Sequence, residues 1–170
     1  MPTPTYDLIA EQTVTGIAGA ASITFSSIPQ TYKDLVLEMS VLQSTGSSQQ
    51  SRVQLNGDTG TNYSITYLDG NGSAASSGRL TSETSSAAYY VPSTGTASPI
   101  MSVLQFMSYS SGNVYKTWLT RTAPAAAYVS VYVHLWRSTA AITSITITTA
   151  GGSGGNLLSG CTFRLSGIAG

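Results

Sequence analysis

The sequence of 170 residues fits one domain with a single hydrophobic core. Charged residues make up 8 % of it, against a usual share of about 25 %. Seven basic residues balance seven acidic ones, which excludes a strong electrostatic attraction to nucleic acid or to an anionic membrane. Ser, Thr and Gly supply the polar surface instead, and they favour turns and strands over helices.

The first twelve residues, MPTPTYDLIAEQ, contain two prolines that favour an extended backbone. Tyr6, Leu8 and Ile9 are apolar and could anchor this segment on a partner. We predict an extended N-terminal arm over residues 1–12, and the alternative is a first edge strand of the domain. The segment has no basic start and no apolar run, so we expect neither a signal peptide nor a membrane anchor.

Apolar and polar residues alternate after this segment, which is the pattern of half-buried β-strands. The alternation predicts inward side chains in four strands, in the order ASITFSSI, DLVLEMSVL, RVQLN and NYSITYL. These inward side chains are Ile23, Phe25, Leu35, Leu37, Met39, Val41, Val53, Leu55, Tyr63, Ile65 and Tyr67.

The oxygen-rich segment NGDTGTN joins the last two of these strands. An EF-hand calcium loop that started at Asn56 would lack the oxygen ligand of its fifth position, where Gly60 stands, and the Glu of its twelfth position, where Tyr67 stands. We therefore interpret the segment as the corner of a β-hairpin. Its Asp58 and Asn62 are candidates for contact with a partner.

Residues 69–99 are rich in Ser, Gly and Ala and show little alternation. We predict a long loop region here, interrupted by one short strand at Ala88–Val91. A loop of this length in a small domain usually has a function, so it is a candidate interface.

Alternation returns in the second half of the chain. The strand IMSVLQFMS is apolar on both faces, which is typical of a central strand. In AYVSVYVHLWR one face carries aliphatic side chains and the other aromatic ones. The aliphatic face holds Val129, Val131, Val133 and Leu135, and the aromatic face holds Tyr128, Tyr132, His134 and Trp136.

The aromatic face has three interpretations: a second core face, a protein interface or a carbohydrate platform. Tyr128, Tyr132 and Trp136 are its candidate contact residues. Two further strands, AITSITIT and CTFRLSGI, complete about nine or ten strands, and no amphipathic helix is apparent. We predict an all-β fold, an antiparallel jelly-roll-like β-sandwich that forms a single domain over residues 13–170.

Catalytic and metal-binding patterns are absent from the sequence. His134 is the only histidine and Cys161 the only cysteine. We expect His134 to be a polar filler on the aromatic face and Cys161 to be a small buried hydrophobic residue. The glycine-rich AGGSGGNLLSG lacks the Lys of a phosphate-binding loop. We predict no enzymatic activity, no cofactor and no bound metal.

Several blocks carry a family resemblance: GAASITFSSIPQTYKDLVLEMSV, LNGDTGTNYSITYLDGNGS, LWRSTAAITSITIT and the ending LSGI. Their order resembles a family of small β-sandwich virion proteins from tailed bacteriophages and prophages, including cyanophages. The resemblance spans about Val14 to Ile168. It departs from the family near the end, where Ser166 and not a tyrosine precedes Gly167.

The resemblance implies a capsid cement, or decoration, protein that binds the outside of a phage head and stabilises the lattice of the major capsid protein. The alternative is a tail-fibre or receptor-binding module that recognises a host surface glycan. We expect a protein made in the host bacterial cytoplasm and located on the virion, with neither nucleic acid nor membrane as a partner. We expect a homotrimer at a threefold or quasi-threefold position, where multivalency adds affinity.

Overall fold

A computed structural model describes residues 5–42, 49–91, 99–124, 128–150 and 155–170. These residues form twelve β-strands and no helix, so the all-β prediction is confirmed with twelve strands instead of nine or ten. No helical membrane span occurs among them. The strands are β1 (Tyr6–Thr13), β2 (Ser22–Phe25), β3 (Asp34–Val41), β4 (Gln49–Leu55), β5 (Tyr63–Gly70), β6 (Ala75–Glu83), β7 (Ser86–Val91), β8 (Ile100–Met107), β9 (Lys116–Pro124), β10 (Val129–Trp136), β11 (Ile145–Ala150) and β12 (Thr162–Ile168).

The strands form two antiparallel sheets. The large sheet has eight strands in the order β1-β12-β3-β8-β9-β10-β5-β6, and the small sheet has four in the order β2-β11-β4-β7. If the β8–β9 hairpin and the added strands β12 and β1 are set aside, β3-β10-β5-β6 faces β2-β11-β4-β7. This is the strand order of a jelly roll, as the sequence predicts.

The core lies between the inner faces of the two sheets. Alternation predicts these inner faces correctly in β2, β3 and β4. In β11 and β12 the alternating residues Ile145, Ile147, Phe163 and Leu165 are buried as well. In β5 it is correct for Tyr63 and Ile65, which are buried, while Tyr67 is only partly buried. Cys161, just before β12, is buried as expected, and its thiol lies against the backbone of Leu42.

The prediction of a hairpin between β4 and β5 is wrong. β4 pairs with β11 and β7 in the small sheet, whereas β5 pairs with β10 and β6 in the large sheet. The segment between them therefore carries the chain from one sheet to the other. A seven-residue connection between two amphipathic strands fits either arrangement, and only the long-range strand partners distinguish them.

The prediction of a long loop over residues 69–99 is also wrong for most of that range. β6 and β7 occupy Ala75–Glu83 and Ser86–Val91, and β7 contains the short strand that the sequence predicts. No side chain of β6 is buried, so its sequence shows no apolar alternation. Residues 92–98 lie outside the described residues.

The N-terminal segment is an edge strand over Tyr6–Thr13, where β1 pairs with β12. The alternative interpretation is therefore correct, and the prediction of an extended free arm is wrong for these residues. Residues 1–4 lie outside the described residues.

Lys116, at the start of β9, is buried although lysine is normally exposed. Its ammonium donates hydrogen bonds to the carbonyl oxygens of Ser111 (2.6 Å), Val114 (2.8 Å) and Thr139 (3.0 Å). These carbonyls belong to the β8–β9 turn and to the segment after β10. One cation therefore joins two loops at the same end of the sandwich.

Replacing Lys116 by Met should lower the free energy of unfolding by about 2–4 kcal/mol, because three carbonyls lose a charged donor at a buried position. Chemical denaturation at neutral pH measures the change. Lys33→Met, at an exposed position, is the matched control and should change stability by less than about 0.5 kcal/mol. Equal effects of the two substitutions would contradict this role of Lys116.

Candidate functional site

The segment that crosses between the sheets, residues 56–62, is held by its own polar side chains. Asn56 has a positive φ of 53°, a left-handed conformation that Asn tolerates better than most residues. Its side-chain oxygen accepts hydrogen bonds from the amides of Thr143 (2.8 Å) and Ser144 (3.0 Å), and its amide donates to Ala141. The crossing is thereby tied to the connection between β10 and β11.

Asp58 is the centre of the second tie. Its carboxylate accepts hydrogen bonds from the Trp136 indole (2.6 Å), the Asn62 side chain (2.9 Å) and the Gly60 amide (2.8 Å). Burial tends to raise the pKa of Asp58, but these three donors outweigh it and hold the pKa below its usual value. Asp58 and Asn62 are therefore internal ties, and their prediction as partner contacts is not supported by this geometry.

The aromatic face of β10 points into the molecule. Trp136 is buried and stacks on Tyr63, with ring centroids 6.4 Å apart. Tyr132 is buried too, in a smaller cluster with Ile65 and Ala87. The core interpretation is therefore correct for Trp136, and its prediction as a partner contact is wrong because it is covered.

His134 lies between two hydroxyl groups in the same interior. The Ser86 hydroxyl is 2.6 Å from Nδ1 and the Thr120 hydroxyl is 2.8 Å from Nε2, while the Trp118 ring stacks on the imidazole at 4.7 Å. Burial lowers the pKa of His134 to about 3, so the ring is neutral at physiological pH. A Ser–His pair of this kind resembles a nucleophile and its base. Ser86 and His134 are both fully buried, however, so a substrate cannot reach them.

Metal ligation finds no support in the described part of the chain. No three side chains of His, Cys, Asp or Glu there lie close enough together to hold an ion. The side chains exposed on the two sheets are therefore the remaining candidates for function.

The outer face of the large sheet carries an apolar surface, which we call the outer band. Its side chains are between 38 % and 62 % exposed. They are Leu68, Met101, Met107, Val129, Val131 and Val133. Leu68 lies opposite Val131 on the neighbouring strand. On β9, which lies between β10 and β8, the same face carries Leu119, Arg121 and Ala123.

The outer face of the small sheet is polar in comparison. Thr24 lies opposite Thr146, with their hydroxyls 3.0 Å apart, and Gln54 lies on the other side of Thr146. Among the side chains that the structure describes, the exposed apolar surface therefore lies on the large sheet.

The N-terminal candidates divide between the two faces of the large sheet. Tyr6 and Leu8 are more than half exposed on β1, whereas Ile9 is partly buried and packs against the core. Tyr6 also borders a groove of about 420 Å³ beside the outer band, lined by Glu38, Arg121 and Arg164 among others. The structure thus leaves Tyr6 and Leu8 accessible, and Ile9 mainly serves packing.

Tyr128 and Tyr132 meet in a cleft on the inner side of the large sheet, beyond the edge of the small sheet. It encloses about 390 Å³, and we call it the tyrosine cleft. Its lining comprises Gln50, Ile65, Tyr67, Asp69, Leu80, Ala87, Tyr128, Ser130 and Tyr132. The sequence predicts two of the three tyrosines but not Asp69 or Gln50, because those two residues come from strands whose pairing it does not show.

Comparison with known proteins adds no identity. No protein-family model matches the chain, and no curated protein matches it.

Asp58→Asn should lower the free energy of unfolding at pH 7 by about 1–3 kcal/mol, because the uncharged amide accepts these hydrogen bonds less well. The carboxylate has a lowered pKa in the folded state, so its contribution is present above the unfolded pKa and disappears as pH falls through the folded value. The difference between the two proteins should therefore shrink below about pH 4. Urea denaturation at several pH values measures it.

Glu11→Gln, at an exposed position on β1, is the matched control for this experiment. It should leave the pH profile close to that of the unmodified protein. An Asp58→Asn variant that is as stable as the unmodified protein at pH 7 would contradict the stabilising role of the Asp58 carboxylate.

His134 should make the protein sensitive to acid. Because its pKa is about 3 when folded and about 6.5 when unfolded, the unfolded state binds an extra proton between these values. As the pH is lowered through this range, the free energy of unfolding should fall by up to about 1.4 kcal/mol per pH unit. In the His134→Gln variant, the free energy of unfolding should be lower at pH 7 but should depend less steeply on pH. Denaturation from pH 7 to pH 3 tests this, and an unchanged slope would contradict it.

Proposed function

We propose that the protein is a virion structural protein that decorates the outside of a phage head and stabilises the lattice of the major capsid protein. The observation that carries this proposal is the outer band. A cluster of exposed apolar side chains marks contact with another macromolecule more often than it marks chance exposure. The described side chains on the outer face of the small sheet form no such cluster, which favours docking through the large sheet.

The electrostatic character of the chain supports contact by shape and apolar area. The net charge is zero, and the one charged side chain of β9 on this face is Arg121, opposite Val131. Docking would therefore depend weakly on salt, in contrast to binding that is driven by charge. The jelly-roll fold is also common among viral capsid domains, which supports the proposal by analogy of fold only.

The size of the outer band supports an oligomer. Covering a half-exposed Val, Leu or Met contributes about 1 kcal/mol, and association costs about 4–15 kcal/mol in lost freedom of motion. One copy would then bind weakly. A homotrimer that engages three equivalent positions gains affinity through multivalency, and we propose this arrangement at a threefold or quasi-threefold position of the capsid.

A tail-fibre or receptor-binding module remains the second candidate, and a different feature favours it. The tyrosine cleft has the aromatic and polar lining of a ligand site, and the outer band plays no part in it. Labelling that places the chain on the head supports the decoration proposal, and labelling on the tail supports the module.

Val129→Lys combined with Val133→Lys should reduce binding to particles that lack the protein by at least tenfold, because two charges must then lose water at the interface. Co-sedimentation of purified protein with such particles measures binding. Particles without the protein should also release their DNA at a lower temperature than decorated particles do.

Ser22→Lys, on the polar outer face of the small sheet, is the matched control and should bind normally. Melting temperatures show that each variant is folded. Normal binding by the Val129→Lys/Val133→Lys protein, or equal heat resistance of bare and decorated particles, would contradict the proposal. A reconstruction that shows single copies away from threefold positions would contradict the trimer.

A further inference from the structure

The tyrosine cleft has the dimensions and the position of a ligand site. Its volume of about 390 Å³ falls within the range of about 300–1,000 Å³ that is typical of small-molecule pockets. It opens between β5, β6 and β10 of the large sheet and the β4–β7 side of the small sheet. A second depression of about 100 Å³ adjoins it and shares Asp69 and Tyr128 with it.

Three tyrosines supply flat apolar surface with polar tips. The rings of Tyr67 and Tyr132 are 5.9 Å apart and inclined at 38°, so they form an angled wall, and Tyr128 stands 39 % exposed at the mouth. Gly78 lies opposite Tyr67 on β6, where an added Cβ would overlap the Tyr67 ring and hydroxyl. The absence of a side chain at position 78 therefore allows Tyr67 to adopt its place in the wall.

Asp69 supplies the charged acceptor of the cleft. Its side chain lines both the cleft and the adjoining depression, and it interacts with the Tyr132 hydroxyl. A carboxylate has about four acceptor sites, so Asp69 can accept a hydrogen bond from a sugar hydroxyl as well as from Tyr132.

The other polar groups of the cleft complement this acceptor. Gln50 offers an amide donor, since the Arg52 guanidinium engages its carbonyl oxygen at 3.4 Å. Burial raises the pKa of Tyr132 to about 12, and the charge of Asp69 acts in the same direction, so the Tyr132 hydroxyl stays protonated at physiological pH. Donors and an acceptor therefore stand beside aromatic rings.

We propose that the tyrosine cleft binds a neutral saccharide, with Tyr67, Tyr128 and Tyr132 packing against its apolar faces and Asp69 accepting from a sugar hydroxyl. The negative charge of Asp69 and the lack of a cation in the lining disfavour an acidic sugar. The adjoining depression accommodates a second sugar unit. Hydrolysis of the sugar is not part of the proposal, because a glycosidase needs two facing carboxyl groups and the lining contains one.

The cleft and the outer band lie on opposite faces of the large sheet, so both could be occupied at once. The inference therefore goes beyond the decoration proposal and does not depend on it. A decorating protein with such a cleft would attach a particle weakly to glycan surfaces, and many copies on one particle would add avidity.

Titration of the purified protein with glucose, galactose, mannose, N-acetylglucosamine, maltose and lactose, followed by two-dimensional amide NMR, tests the proposal. At least one sugar should cause saturable shifts at Tyr67, Asp69 and Ser130, with a Kd on the order of 1 mM. A disaccharide should bind more tightly than its monosaccharide unit. Glucuronate is the acidic probe and should bind more weakly than glucose.

Two variants locate the site, and a third is the control. Asp69→Asn and Tyr128→Ala should each weaken binding by about tenfold. Thr66→Ala, next to Tyr67 but on the outer face of β5, should leave the Kd unchanged. Melting temperatures confirm folding, and Tyr128 is exposed enough to be replaced without unfolding the domain.

The absence of a saturable shift with any neutral sugar up to about 50 mM, well above the expected Kd, would overturn the inference. Tighter binding of glucuronate than of glucose would also overturn it. Unchanged affinity in both cleft variants would do the same. None of these results bears on particle binding through the outer band, so failure here is distinguishable from failure of the decoration proposal.

Discussion

The large sheet has twice as many strands as the sheet that covers it, and the accessible surfaces of the protein follow from this inequality. Where four strands face the large sheet, side chains from both sheets form the core. No side chain of β6 is buried, and at this end of the large sheet the inner face opens as the tyrosine cleft. The outer face has no covering sheet at all, and there the outer band is exposed. A two-layer fold with unequal layers necessarily leaves part of the larger layer accessible.

A chain that alternates between two sheets must also satisfy its backbone groups wherever it leaves a strand ladder. At the crossing from β4 to β5, the side chains of Asn56 and Asp58 accept some of the backbone hydrogen bonds that a strand partner would otherwise accept. Asp58 also accepts a hydrogen bond from Trp136 in the core. At the same end of the sandwich, Lys116 donates hydrogen bonds to three loop carbonyls. These polar groups are few in a chain with so little charge. Asn56, Asp58 and Lys116 make hydrogen bonds within the fold. The outer band and the tyrosine cleft are therefore the surfaces available for binding.

Sequence patterns predicted some elements well and failed at others for identifiable reasons. Leu35 to Val41 of β3 alternate clearly because one face of that strand is core and the other is less buried. β6 was missed because it is exposed on both faces and so has no alternation to detect. In β10 both faces are apolar, so the pattern could not tell which one is buried. The hydrogen bonds of His134 to Ser86 and Thr120, which lie on other strands, mark the aromatic face as the inner one.

The sequence by itself determined the all-β class, the side chains that share a face of most strands and the scarcity of charge. These properties depend on composition and on neighbours two residues apart, which the chain carries locally. Only the tertiary structure decided that β4 and β5 belong to different sheets, that Asp58 is an internal tie and that Asp69 joins three tyrosines in one cleft. Those outcomes depend on which distant strands pair, and strand pairing satisfies backbone hydrogen bonds that are the same for every residue type except proline. Local side-chain patterns therefore do not specify it.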